Sequence, residues 1–145
     1  MALAKWWRID FHTHTPASKC FKNSKAINTY DEDRKIEEAK KWLLKAKENK
    51  LDAVAITDHN SVAWIDRIRK AKEKLKTEYK NEKFPIIFPG VELSVSTNKI
   101  HILVIFSPNI SQSNLNSFMS ICQILEEDFG DTNRYITEED LIKAI

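Results

Sequence analysis

Glycine is scarce in this chain, with only Gly90 and Gly130 among 145 residues. The glycine-rich loops that cradle phosphates in dinucleotide-binding and P-loop proteins are therefore absent, and any phosphate chemistry has to come from other residues. Cysteine is equally rare: Cys20 and Cys122 lie far apart in no paired pattern, which argues against a disulfide framework. The longest apolar run, IHILVIF, is far too short to span a membrane.

An excess of charge of one sign is also lacking. The formal net charge of +2 is too small by itself to predict binding to nucleic acid. An apolar content of 42% and a charged content of 30% are typical of a soluble globular protein, and the length fits one domain. No charged and then apolar leader precedes the first predicted strand, so we expect a cytoplasmic protein in a reducing compartment.

Hydrophobic patterning predicts four strands. They are expected over residues 6–13 and in the segments DAVAIT, PIIFPGVELSV and KIHILVIFS. A turn at Thr97 and Asn98 is predicted between the last two strands, and SKCFKNSKAIN, after the first strand, has the composition of a loop. The strands are short and almost continuously apolar, as expected for strands that are buried on both faces.

Three helices are predicted between and after these strands. The first covers 31–49 and is opened by a capping box of Thr29 and Glu32. The other two are predicted from apolar stripes at helical spacing, namely Ile65, Ile68, Leu75 and Tyr79 in a helix that starts near Ser61, and Leu115, Phe118, Met119, Cys122 and Leu125 in the next.

The order of elements, β-α-β-α-β-β-α, predicts a largely parallel sheet covered by helices, hence an α/β layer or barrel. The last segment, TEEDLIKAI, starts a helix at Thr137 and stops on the apolar Ile145 after two turns. Because an uncapped helix of two turns is incomplete, we expect the chain to be a piece of a longer protein.

The four histidines all lie on predicted strands or at their ends. His12 and His14 are two residues apart on one strand, so their imidazoles point to the same face and form a chelating pair. His59 follows the second strand, and His101 lies in the fourth, after the acidic Glu92. Each residue alone has an ordinary structural explanation, but functional groups collect at the carboxyl ends of parallel strands. Together they predict a site for zinc, iron or manganese, with room for more than one ion.

The segments DFHTHTPAS, AITDHN, GVELS and IHIL resemble, in this order, the first motifs of the PHP (polymerase and histidinol phosphatase) domain of metal-dependent phosphoesterases. The resemblance covers about residues 6–106, and the opening KWWRIDFHTHTPASKC is similar to PHP proteins fused to an ABC/SMC-type ATPase. It implies an α/β fold, a distorted seven-stranded β/α barrel with up to three divalent ions at the carboxyl ends of its strands. Residues 1–145 would be a single PHP-like domain, the N-terminal part of that barrel.

Matched position by position, the resemblance implies metal roles for five residues: His12 and His14 on a first ion, Glu92 between the first and second, His101 on the second and His59 on the third. Cys20 stands where the family often has a histidine. It is expected either to replace that ligand or to be an ordinary loop cysteine. The family's later ligands, a histidine and an Asp-x-His pair, have no counterpart after His101, so either they lie in a longer chain or metal binding is weakened.

Two carboxylates are candidate catalytic residues. Asp10 lies two positions before His12 and Asp58 adjoins His59, so each is placed to orient a ligating imidazole; a strand-end or helix-capping role is the alternative for Asp58. Lys19 is a further candidate, for contact with a substrate phosphate.

Arg8 is a second candidate for contact with phosphate. Trp6 and Trp7, beside the predicted site, are candidates for stacking on bases, with a place in the core or an interface as the alternative.

The predicted function is hydrolysis of phosphate monoesters or diesters by water activated on two or three zinc, manganese or iron ions, with nucleic acid as the favoured substrate. The alternative is a catalytically degenerate PHP module that docks beside an ATPase domain. An amidohydrolase or a TatD-type nuclease fits less well, because neither combines TDH with GVELS in this arrangement. The open strand edges of a partial barrel also predict self-association.

Overall fold

The computed structural model describes residues 6–95 and 100–145. Its elements, in chain order, are β1 (Ile9–Thr13), α1 (Ser24–Ile27), α2 (Glu32–Glu48), β2 (Ala53–Ile56), α3 (Ile65–Glu78), β3 (Ile86–Val95), β4 (Ile100–Ile105), α4 (Gln112–Ile121), a 3₁₀ turn (Glu126–Asp128), β5 (Tyr135–Ile136) and α5 (Glu138–Ala144). The turn predicted at Thr97 and Asn98 lies outside the described residues. Within the two described ranges, no helix is long and apolar enough to cross a membrane.

The strands form one mixed sheet in the order β1-β2-β3-β4. The first three strands run parallel, and β4 pairs antiparallel with the second half of β3. Because β3 continues beyond the end of β2, its last residues pair on that side with β5, through Ser94–Tyr135 and Val95–Ile136. The α/β class and the mostly parallel sheet are confirmed. In the part of the chain that the structure describes, the sheet is open, with β1 and β4 at its edges.

The core lies between the sheet and the helices. Helices α2 and α3 pack against each other, and their apolar stripes join buried side chains of β2 and β3 in one cluster. Its fully buried large members include Leu43, Val54, Ile56, Trp64, Ile65, Ile68, Leu75, Val91, Leu93 and Leu115. The opposite face of the sheet carries Ile9 and Ile86, which flank Ala53 in register and remain exposed.

The first long helix differs from its prediction at the cap. Helix α2 begins at Glu32, and the side chain of Asp31 accepts a hydrogen bond from the backbone N–H of Arg34 at 2.8 Å. Thr29 instead donates its hydroxyl to the carbonyl of Ala26. Asp31, directly before Glu32, is therefore the N-cap residue of α2. The capping box predicted for Thr29 and Glu32 is wrong, because Thr29 lies too far before the helix.

Four smaller differences concern element boundaries. Helix α3 begins at Ile65 and ends at Glu78, and Tyr79, the C-cap residue that follows, has an exposed ring outside the buried stripe. Leu125 follows the end of α4 and is also exposed. Strand β1 begins at Ile9, which leaves Trp6 and Trp7 before it. The segment predicted as a loop after β1 contains the four-residue helix α1.

A bulge in β1 changes which side chains share a face. Asp10 pairs with Val54, whereas Thr13 pairs with Ile56, so one extra residue is inserted between them. A one-residue slip moves the following side chains to the other face of a sheet. Asp10 therefore does not share a face with His12, and it lines a cavity of about 150 Å³ beside α2.

Candidate metal centre

Glu92 is placed by the length of β3. At this residue β2 has already ended, and Glu92 forms an isolated parallel bridge with His59 instead. The backbone N–H of Glu92 donates to the carbonyl of Asp58 at 3.0 Å, and the N–H of Asn60 donates to the carbonyl of Glu92 at 2.9 Å. These bonds fix the Glu92 backbone at the carboxyl ends of β1 and β2, where only 3% of its side chain is exposed.

All four histidines contact the carboxylate of Glu92. Its Oε2 lies 3.0 Å from Nε2 of His12, 3.4 Å from Nε2 of His14 and 3.2 Å from Nδ1 of His59. Its Oε1 pairs with Nδ1 of His101. Neighbouring imidazoles in this group have ring centroids 4.6 to 5.8 Å apart. The structure thus gathers five residues singled out in the sequence around one buried carboxylate.

The charges of the cluster favour a cation. Burial alone would raise the pKa of Glu92, but hydrogen bonds to His101 and His12 outweigh it and hold that pKa below its usual value. Burial lowers the pKa of His14 and of His59, and in each case the other nearby histidines lower it further while Glu92 opposes them. At neutral pH, the ionised carboxylate of Glu92 therefore faces the neutral imidazoles of His14 and His59, which is the protonation state that metal ligands require.

One ring nitrogen in the cluster is left without a hydrogen bond. Nδ1 of His59 is buried and, among the described residues, has no hydrogen-bond partner, although Glu92 Oε2 lies 3.2 Å away. A buried polar atom without a partner is costly in a folded protein. A divalent cation between His59 and Glu92 would satisfy both atoms, so the donor set fits such an ion.

Three sets of side chains place their ligand atoms within 4.8 Å of one another. Two of them share Glu92: one adds His12 and His14, and the other adds His59 and His101. The third set joins Cys20 to His14 and His59. Nitrogen, carboxylate and sulfur donors together suit zinc, iron or manganese, and the shared carboxylate suits a bridge between two ions.

Cys20 is exposed on the loop after β1, with its Sγ 3.7 Å from Nδ1 of His14. Burial raises the pKa of the Cys20 thiol, so the free side chain keeps its proton at neutral pH. A cation bound there would have to displace this proton, because the thiolate is the ligand form.

Ser18, which the sequence did not single out, connects Asp58 to His14. Its buried hydroxyl donates to Oδ1 of Asp58 at 2.8 Å, accepts the backbone N–H of His59 at 3.1 Å and lies 2.9 Å from Nδ1 of His14. Since the only hydroxyl proton goes to Asp58, the imidazole must donate from Nδ1. This contact leaves the lone pair of Nε2 directed toward Glu92. In the sequence, the only indication of this contact is that Ser18 lies four residues after His14.

Asp58 therefore reaches an imidazole through Ser18 and does not contact one directly. Its carboxylate also accepts the backbone N–H and the hydroxyl of Thr15, both at 2.6 Å. Full burial raises the pKa of Asp58 to about 6, against the opposing effect of its hydrogen bonds from Thr15 and Ser18. Asp58 thus anchors residues 14–20 after β1, which carry the candidate ligands His14 and Cys20 and which we call the ligand loop.

Gly130 ties the same loop to a distant segment. Its N–H donates to the carbonyl of His59 at 2.8 Å, and its carbonyl accepts the N–H of Lys19 at 3.1 Å. Gly130 has a φ of +76°, and a Cβ built there would lie 2.2 Å from the carbonyl oxygen of Ala17. Only glycine fits this position.

Other predicted residues lie away from the imidazoles. Asp10 accepts the backbone N–H of His12 at 3.0 Å and does not contact its ring. Arg8 precedes β1, at the opposite end of the strand, and its guanidinium donates to the carbonyl of Asn49. Lys19 is on the ligand loop and pairs with Asp131 at 2.7 Å.

Comparisons with known proteins add little to this site. No protein-family model and no curated protein matches the chain. Among solved structures, it is similar to a Bifidobacterium adolescentis protein whose assignment as a metal-dependent phosphoesterase is provisional, with 21% identity and a TM-score of 0.49. The match covers 81% of this chain and 33% of that one, so this chain spans about a third of its length. At these values the likeness establishes neither a family nor an activity.

Proposed function

We propose that this chain is a metal-dependent phosphoesterase. The observation that supports the proposal is the buried, ionised carboxylate of Glu92 within ion-pair distance of four imidazoles. His12, His14 and His59 lie at the carboxyl ends of the parallel strands β1 and β2, and His101 lies near the start of the antiparallel strand β4. Such a cluster costs free energy unless a cation compensates it, because buried carboxylates require partners of opposite charge. Its mouth is open, since the side chains of His12 and His101 are 54% and 39% exposed. An external ester can therefore reach it.

The proposed roles follow the resemblance to the PHP motifs. His12 and His14 would hold a first ion and His101 a second, with Glu92 shared between them. His59 and Cys20, which belong to one ligand set, would hold a third. This assignment supports zinc, iron or manganese as the cofactor, because thiolate and imidazole ligands suit these metals better than magnesium.

In the proposed reaction, the residues of the chain position the metal ligands and the substrate. When bound, a divalent cation lowers the pKa of water toward neutrality and polarises phosphoryl oxygens. Ser18 holds the His14 ring so that Nε2 faces Glu92, and Asp58 holds Ser18. Lys19, on the same loop, exchanges its contact with Asp131 for a phosphoryl oxygen of the substrate.

We further propose that residues 1–145 belong to a PHP-type barrel as its N-terminal part. The ordered motifs support this proposal, as do the parallel strands β1 to β3 and the open edges at β1 and β4, which leave room for further strands. The similarity of the N-terminus to ATPase fusions supports a nuclease acting on DNA or RNA beside an ATPase domain. It also supports a cytoplasmic location, where the free thiols Cys20 and Cys122 stay reduced.

The proposed activity is tested with a chromogenic phosphomonoester and a phosphodiester in the presence of zinc, iron or manganese. We expect turnover that a chelator abolishes and that is lost in a His12→Ala/His14→Ala double variant. A Lys41→Ala variant, which removes an exposed side chain paired with Glu38, is the control and retains activity. Turnover that resists the chelator would contradict the proposal.

A non-catalytic docking module is the second candidate. The observation that favours it is the lack of any histidine after His101, so that later ligands of the family have no counterpart in this chain. Stoichiometric metal that depends on His12 and His14, without turnover on either ester, would favour this candidate over the enzyme.

A further inference from the structure

A groove lined by basic and aromatic side chains lies at the amino ends of the parallel strands. It consists of two adjoining cavities of about 630 and 420 Å³, which share Trp7, Lys50 and Asp52. The larger cavity is lined by five lysines, Lys47, Lys50, Lys72, Lys76 and Lys83, and the smaller one adds Arg8 and Trp6. We call this surface the basic groove.

The basic groove concentrates positive charge. Six cationic side chains line it against two carboxylates, Asp52 and Glu82, whereas the whole chain has a net charge of only +2. Glu82 is already paired with Lys47. In the described part of the chain, neither Lys50 nor Lys83 makes an ion pair. A polyanion would therefore meet cations that are not neutralised.

Two tryptophans stand at one end of these lysines. Trp6 is 94% exposed and Trp7 is 49% exposed, which is unusual for such large apolar rings. Exposed indole rings stack on unpaired bases, and they do so with little sequence preference. Lysines alone would suit any polyanion, but lysines beside indole rings suit one that carries bases between its phosphates.

The basic groove is separate from the metal centre. Arg8 and Asp52 precede β1 and β2, whereas His14 and His59 follow these strands. Since β1 and β2 run parallel, the two surfaces lie at opposite ends of the sheet, about 15 Å apart for a strand of this length. The sequence order suggested that Trp6 and Trp7 lie beside the histidines, and the direction of β1 shows that they do not.

We infer that the basic groove binds single-stranded nucleic acid. Phosphates lie along Lys50 and Lys83, and unpaired bases stack on Trp6 and Trp7. The inference does not depend on the activity proposed above, because no metal ligand lines the groove.

Fluorescence anisotropy with a labelled oligothymidylate of about 12 nucleotides tests this inference. Chelator is present throughout, so that neither metal binding nor hydrolysis contributes to the signal. Trp6→Ala is expected to weaken binding about tenfold, as for the loss of one stacked base. Because Trp6 is almost fully exposed, this change leaves the fold intact, which circular dichroism verifies.

A charge-matched pair of variants separates the groove from the overall charge. Lys50→Gln/Lys83→Gln is expected to weaken binding at least tenfold and to lower the salt dependence by about 1.4 in log–log slope, at about 0.7 per lost phosphate contact. Lys25→Gln/Lys143→Gln removes the same charge from exposed positions in α1 and α5 and is expected to bind within about twofold of the wild type.

Four results would overturn the inference. Equal weakening in both lysine pairs would show that only the overall charge matters. Unchanged binding in Trp6→Ala, or a duplex bound as tightly as the single strand, would exclude stacking. Tighter binding to phosphatidylserine vesicles than to the oligonucleotide would assign the groove to a lipid surface.

Discussion

Ser18 Oγ lies 2.9 Å from Nδ1 of His14, while Nε2 of the same ring lies 3.4 Å from Glu92. The hydroxyl proton of Ser18 points to Asp58, so the imidazole donates to the serine and keeps its Nε2 lone pair for a cation. Hydrogen-bond partners of this kind orient metal-ligating histidines and fix their tautomer. Asp58 thus reaches the proposed metal centre through Ser18.

Ser18→Ala is expected to weaken metal binding about 10-fold to 100-fold, the usual cost of losing such a partner. The measurement is a competition titration against a chromophoric chelator. In ¹⁵N spectra of the apo form, the His14 ring should also change from the Nδ1–H tautomer to a mixture.

Ser24→Ala is the matched control, since Ser24 is also buried but donates to the carbonyl of Pro16. It should keep both the affinity and the tautomer of the wild type. If the two serine variants lose affinity equally, the effect of Ser18 is general destabilisation.

Thiol labelling distinguishes Cys20 from Cys122. Cys20 is exposed and should react quickly, whereas Cys122 is buried and its pKa is raised to about 11, so it should react slowly. If Cys20 is a ligand, saturating zinc slows its labelling about tenfold or more, because a bound thiolate is not free to attack. The His14→Ala/His59→Ala variant, which lacks the other members of this ligand set, should lose the protection. Labelling of Cys20 at the same rate with and without zinc would show that it is a loop cysteine.

The buried thiol of Cys122 predicts a loss of stability in alkali. Burial, helped by Asp140, raises its pKa from 9.0 to about 11. Because the folded pKa lies above the unfolded one, the stabilisation is complete below pH 9 and is lost as the pH rises through 11. The difference in free energy of unfolding between wild type and Cys122→Ala should shrink by about 2–3 kcal/mol over this range. Urea unfolding at several pH values measures it, and a constant difference would contradict the prediction.

Gly130→Ala is expected to destabilise the protein by about 1–3 kcal/mol and to weaken metal binding. The alanine would be strained at positive φ, and its Cβ would collide with the carbonyl of Ala17, which displaces the ligand loop. Asn133→Ala, an exposed change in the same segment, should be nearly neutral. Urea unfolding and the chelator competition give the two readouts. Wild-type affinity in a destabilised Gly130→Ala would show that Gly130 supports only the fold.

The sequence predicts the alternation of strands and helices because the patterns are local. Strand β2 is continuously apolar, and α2 and α3 carry clear helical stripes. Residues that are close in sequence are therefore enough to predict these elements. The convergence of His59 and Glu92 was also predictable, since it needs only the rule that parallel strands end at one edge.

The remaining features depend on contacts between distant residues. The bulge in β1, which turns Asp10 away from His12, is set by pairing with β2, more than 40 residues later. Gly130 contacts His59 and Lys19 across a large separation in sequence. Trp7 and Lys83 line the same cavity because of the direction in which β1 runs. Their separation in sequence does not predict this contact.

Metal stoichiometry shows whether Glu92 and its histidines form a cation site. The protein is loaded with zinc, iron or manganese, desalted and analysed by elemental mass spectrometry beside Glu92→Gln and Glu73→Gln. Glu73 is an exposed residue in α3 whose carboxylate pairs with Lys76, so it is the matched control. We expect at least one equivalent of metal in the wild type and in Glu73→Gln, and its loss in Glu92→Gln. Metal-free wild type, or equal metal in all three proteins, would contradict this expectation.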